Sequence, residues 1–151
     1  MMWPAAMIVE MERCRERVRT EIASADRSIR SERCTALELR LRVLSLRDAL
    51  CVYTDLEDEL MPLLLRALGE WGDDQVASMW TEHANRRIGL ATAVCDLDAL
   101  GGAEVPGDVY RMTDTLVHLR TAVLSALDAE ESLLRRAWDR TDDMNCDGSA
   151  G

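Results

Sequence analysis

Three ionisable residues occupy positions where an amphipathic helix would place its buried face. Glu57 continues a stripe that runs Leu39, Val43, Leu46, Leu50 and Tyr53, then Leu60 or Met61, Leu64 and Leu68. His83 belongs to the series Val76, Trp80, His83, Arg87, Leu90, Val94, Leu97, and Glu130 to the series Met112, Leu116, Leu119, Val123, Ala126, Glu130, Leu134, Ala137. These steps of three and four trace one face of a helix. A carboxylate buried alone costs several kcal/mol, so inward-facing Glu57 and Glu130 need a cation, a metal or a proton. Rotated to the rim, beside Asp58 and Glu131, they would simply be solvated. Arg87, one turn after His83, can supply the cation, because its guanidinium can pair with Glu57 or Glu130. The Tyr53 hydroxyl can donate to the same carboxylates. The expectation is one buried polar network of Glu57, Glu130, Arg87, His83 and Tyr53. If a metal is held, its ligands are His83, Glu57 and Glu130; otherwise His83 is a satisfied core histidine. His118 falls about 100° off its own stripe and is read as a boundary residue without a role.

Other chemistries lack their signatures. No Gly-x-Ser-x-Gly, phosphate loop or dinucleotide fingerprint is present, and no cleft residues accompany Glu57 and Glu130 as a general acid and base. The protein is read as a non-enzyme. The five cysteines, Cys14, Cys34, Cys51, Cys95 and Cys146, are odd in number and show no Cys-x-x-Cys spacing. They are read as reduced core filler, which fits a cytoplasmic protein.

The elements that must position these residues are long helices. Eight Gly and three Pro in 151 residues are too few turn formers for an all-β domain. Stop signals cluster at 28–35, at 69–74 (GEWGDD), at 101–108 (GGAEVPGD) and in the tail from 141. Between them lie four segments, the first striped by Met7, Met11, Cys14, Val18, Ile22, Ala25 and Ile29. The fold class is therefore all-α, an antiparallel up-down-up-down four-helix bundle over residues 1–140, with 141–151 a disordered acidic tail. Asp73 or Asp74 and Asp108 are candidate N-caps, Gly69 and Gly101 candidate left-handed helix ends, and Pro62 a kink in the second helix.

A net charge of −10, with every basic residue an Arg, leaves no concentrated positive face for nucleic acid or an anionic membrane. No apolar run reaches the ~18 residues of a membrane helix. Trp3 and Trp71, at a terminus and a loop, point to a protein partner or a homo-oligomer, or close the ends of the bundle.

The segment TEHANRRIGL resembles the Glu-His opening of the third helix in hemerythrin-like (HHE) domains. YTDLEDELMPLL is similar to that family's His-x-x-x-Glu, with Glu57 as the Glu and Tyr53 (or, counted back from Pro62, Val52) where the His stands. ALDAEESLL matches His-x-x-x-Glu-Glu, with Ala126 in the His position and Glu130 retained. The likeness spans residues 7–138, and the family's first-helix His would fall near Cys14. The resemblance implies a four-helix bundle whose two-iron centre has decayed, since only His83 of the imidazoles remains. The implied function is non-catalytic binding or regulation, with no cofactor expected. The alternatives are a single retained iron held by His83, Glu57 and Glu130 for oxygen or redox sensing, and a self-associating structural bundle.

Overall fold

The computed structural model describes residues 3–102 and 109–149, with the side chains of 5–101 and 109–143. It contains four helices, α1 (Trp3–Arg30), α2 (Ala36–Glu70), α3 (Val76–Gly102) and α4 (Val109–Ser149). Ion pairs and hydrogen bonds across the helix seams run in opposite chain order, which sets each neighbour antiparallel. Between α2 and α3, Arg40 meets Gly101, Arg47 meets Asp98 and Asp58 meets Arg87. Glu82 meets Arg136 and Arg86 meets Glu130 between α3 and α4, while Arg19 meets Asp128 and Asp26 meets Arg120 between α1 and α4. This is the expected all-α up-down-up-down bundle. Among the described residues the backbone of α2 comes close to all three other helices, whereas those of α1 and α3 stay apart. The bundle is thus pinched along its α2–α4 diagonal.

The stripes read from the sequence supply most of the core, with Val18, Val43, Leu50 and Leu97 fully enclosed, joined by Leu65 and Leu127 from beside them, while Leu119 and Ala126 of the α4 stripe are only half-buried. Each such side chain contributes roughly 1.5–3 kcal/mol by leaving water. On α3 the buried face differs from the expected one. His83, Leu90 and Leu97 are buried as anticipated, but their companions lie four residues earlier (Met79, Arg86, Ala93) instead of three (Trp80, Arg87, Val94). Met79 and Ala93 are buried, whereas Trp80 and Val94 are only half-buried. This turn of α3 toward α4 decides which arginine meets the core.

The helix ends follow local chemistry. Thr35 caps α2, its hydroxyl accepting from Glu38 N–H at 3.1 Å. The turn after α2 is closed by Gly72, not Gly69: Gly72 has φ +74°, Asp73 N–H bonds Leu68 O at 3.0 Å, and Gly72 N–H bonds Gly69 O at 3.1 Å. That 6→1 bond over a left-handed residue ends the helix with its last carbonyls satisfied. Gly101, expected to end α3 in a left-handed turn, instead lies within the helix, where a Cβ would come within 2.5 Å of Leu44 Cδ2. Its role is close approach of α3 to α2. Neither Asp73 nor Asp74 is the cap of α3, which is Gln75, its carbonyl accepting from Met79 N–H; Asp73 instead turns the chain toward the helix, accepting from Gln75 N–H at 2.8 Å while its other oxygen accepts from Arg140 Nε at 2.5 Å. The cap proposed at Asp108 lies outside the described residues.

α2 passes through Pro62 as one helix. α4 continues past Arg140 to Ser149, through a stretch without Pro and without Gly before Gly148, so the segment from 141 expected to be a disordered tail is helical there. No helix among the described residues is long and apolar enough to cross a membrane.

Replacing Asp73 removes both the turn that leads into α3 and the tie to α4. Asp73→Ala is expected to lower stability by about 1–2 kcal/mol in urea unfolding, and Asp73→Asn, which keeps an acceptor, by less.

Candidate functional site

Glu57 on α2, His83 on α3 and Glu130 on α4 converge on one point between three helices. They are 0%, 6% and 1% exposed. His83 Nδ1 lies 3.0 Å from Glu130 Oε2 and 3.7 Å from Glu57 Oε1, and the three donor atoms all fall within 4.8 Å of one another. The pinch between α2 and α4 is what brings the two glutamates together. Two unit charges at that spacing repel by about 3–4 kcal/mol at an effective dielectric of 20, and both side chains are buried.

The two carboxylates are offset unequally. Glu130 is fully engaged: Oε2 faces His83 and Oε1 accepts from Arg86 Nε at 2.5 Å. Against an ionised carboxylate, Nδ1 of His83 is the donor. Neither oxygen of Glu57 has a hydrogen-bond partner among the described residues. Burial, followed by the charge of Glu130, pushes the Glu57 carboxyl up to about 7. Burial alone would lower the His83 pKa, but the hydrogen bond and charge of Glu130, with Glu57 and Asp58, raise it instead. Tyr53 lies one turn before Glu57, its enclosed hydroxyl close enough to act on that carboxylate without reaching hydrogen-bond geometry. Burial and the adjacent Glu57 charge hold that phenol well above its usual range.

Four of the five expected network residues, Glu57, His83, Glu130 and Tyr53, are therefore together in the core. Arg87 is not among them. Its Nε and Nη2 donate to the two oxygens of Asp58 at 2.7 and 2.9 Å on the α2–α3 seam. The cation that reaches Glu130 is Arg86, because α3 presents the residue three after His83 toward α4 and the residue four after it toward α2. The sequence reading also passed over Arg15, which is 2% exposed and is one of the largest enclosed side chains. Its Nη1 lies 3.5 Å from Glu131 Oε1, Nε and Nη2 have no partner, and its charge acts on the Tyr53 hydroxyl. The signal was present, since Arg15 stands four residues after Met11 and three before Val18 on the α1 stripe.

Around a metal ion with bonds of about 2.0–2.2 Å, neighbouring ligand atoms sit roughly 3–4 Å apart. The spacings of His83 Nδ1 to both carboxylates already fall there. Two carboxylates and one imidazole can hold one dication such as Fe²⁺, Mn²⁺ or Zn²⁺. They do not fit a pair of irons, which needs about twice as many donors. Of the other candidate residues, His118 is exposed and bonds Asp114 O at 2.8 Å within α4, and Cys95 is on the surface rather than in the core. Cys14 is buried, and Cys34 and Cys51 are half-buried. Trp71 is 44% exposed, whereas Trp80 and Trp138 pack against the core. Cys146 and the Trp3 side chain lie outside the described residues. Cavities of about 370 Å³, near Asp96 and His118, and about 160 Å³, beside Arg15 and Trp138, are not lined by Glu57, His83 or Glu130.

Two stability measurements separate these roles. Arg86→Met leaves buried Glu130 short of its cation and is expected to cost about 3–5 kcal/mol, while Arg87→Met breaks a seam pair and is expected to cost less than about 1 kcal/mol. Glu57 binds a proton in the folded state at pH values where the unfolded chain has lost it, so its contribution falls as pH rises from about 4.5 to about 7. In the presence of a chelator, Glu57→Gln is therefore expected to exceed the parent in stability at pH 8 by roughly 2–3 kcal/mol and to lose that advantage near pH 5.

Compared with protein families, with curated proteins and with solved structures, the chain matches none.

Proposed function

We propose that this protein is a hemerythrin-like bundle in which a two-iron centre has been reduced to a seat for one divalent transition-metal ion, held by Glu57, His83 and Glu130. It works as a metal-responsive binding or regulatory protein and not as an enzyme. The observation that carries this reading is Glu57, a fully buried carboxylate with two unbonded oxygens, set against a histidine and a second carboxylate. Such a group needs a proton or a cation, and the neighbouring donors are arranged for a cation. The non-catalytic reading is supported by the burial of the three donors, which are at most 6% exposed. When bound, the ion would supply positive charge at the centre of the bundle and a tie between α2, α3 and α4. The sequence phrases TEHANRRIGL, YTDLEDELMPLL and ALDAEESLL support the family part of the reading, because each places its acidic or imidazole residue at this cluster.

Metal-free protein titrated with Zn²⁺ or Fe²⁺ is expected to take up one ion per chain and to gain thermal stability, by about 2.7 kcal/mol when free metal is a hundredfold above its Kd. Both effects should vanish in His83→Ala. Uptake of two ions at the cluster, or of none, would contradict the proposal.

A further inference from the structure

The side chain that faces Glu130 from the surface has two carboxylates within reach. Arg86 is 21% exposed, and its Nε is bonded to the buried Glu130. Its Nη2 lies 3.5 Å from Oε1 of Glu82, one turn earlier on α3, without completing a hydrogen bond to it. Glu82 is itself at the surface, where both its oxygens accept from Arg136 Nη2 of α4 at 3.1 Å. The guanidinium therefore lies between an inner acceptor in the core and an outer one on the α3–α4 seam. A shift outward by less than the length of the side chain would exchange the first for the second.

Charge decides when that exchange occurs. Without metal, Glu130 carries negative charge into the core beside Glu57, which is driven to hold a proton, and Arg86 offsets the charge on Glu130. With a dication between Glu57 and Glu130, their two charges are already cancelled. A guanidinium 2.5 Å from a Glu130 oxygen is then a like charge a few ångströms from the ion, in surroundings that screen it poorly.

We propose that Arg86 is a displaceable internal cation for this site: it holds Glu130 while no metal is bound and moves to Glu82 when a dication enters. The proposal rests on the metal reading above and adds how occupancy is communicated. Because Glu82 is held by Arg136, arrival of Arg86 recasts the charge pattern on the α3–α4 surface, and the buried ion becomes readable from outside. Arg86 acts on the site as a positioning residue. It ligates nothing.

Titration of the full-length chain with Co²⁺, followed by its visible absorption, tests this through two variants of opposite expected sign. Arg86→Gln removes the competing charge and is expected to bind Co²⁺ at least tenfold more tightly than the parent. Glu82→Gln, a surface change that leaves the core intact, removes the outer acceptor and is expected to weaken Co²⁺ binding severalfold. Arg47→Gln, which breaks a surface pair with Asp98 on the α2–α3 seam, serves as the control and should leave affinity unchanged. If the parent binds Co²⁺ but Arg86→Gln binds equally or more weakly, or Glu82→Gln binds unchanged, the displacement proposal is overturned while the metal reading stands. If neither the parent nor Arg86→Gln binds Co²⁺, both fall. Should Arg86→Gln fail to fold, the Glu82→Gln result alone decides.

Discussion

The close approach of two buried carboxylates, Glu57 on α2 and Glu130 on α4, is the constraint around which the bundle is arranged. Their mutual repulsion is several kcal/mol even at a generous effective dielectric, comparable to the net stability of many domains. Everything adjoining them is placed to reduce it. His83 enters from α3 between the two, Arg86 reaches Glu130 from the surface, and Arg15 carries charge into the core from α1, beside Tyr53. Buried apolar residues on the same helices, such as Leu60 and Leu127 within a turn of the two glutamates, surround this polar centre with core. They supply the burial that makes it tolerable and also the desolvation that makes it reactive toward a proton or a cation.

The surface seams do a different job. Arg19 with Asp128 and Glu131, Arg47 with Asp98, Arg87 with Asp58, and Arg136 with Glu82 join α1 to α4, α2 to α3 and α3 to α4 at named heights. Singly, such exposed or half-exposed pairs add at most about 1 kcal/mol. Together they favour one register over a shift by a turn, which would set like charges against each other. Because every basic residue is Arg, each partner meets a planar fork of donors instead of a point charge. Register matters here because the cluster is assembled from three helices, and a slip on any one of them would separate its donors by about a turn's rise.

Much of this was legible in the chain itself. Four stripes of period 3.6 and three breaks define the bundle, and a charged residue interrupting an apolar stripe marked Glu57, His83 and Glu130 because burial makes such residues conspicuous. The choice between Arg86 and Arg87 was not legible. Both stand within one turn of His83, and only the rotation of α3 against α4, set by how Met79 and Ala93 pack, determines which faces Glu130. Arg15 was missed for a related reason: a long cation on an apolar stripe is ordinarily assumed to reach water, and its burial depends on how closely α1 and α4 approach. The helix end at Gly72 turned on whether Trp71 would still bond back to Ala67, a backbone matter that the glycines of the GEWGDD segment do not decide between them.

Anomalous diffraction from crystals of the Zn²⁺-loaded protein, recorded at the zinc edge, tests the central claim most directly. The account expects one peak per chain inside the Glu57–His83–Glu130 triangle, about 2.0–2.2 Å from each donor atom. Peaks confined to surface carboxylates, with the triangle empty, or two ions within the bundle, would contradict it.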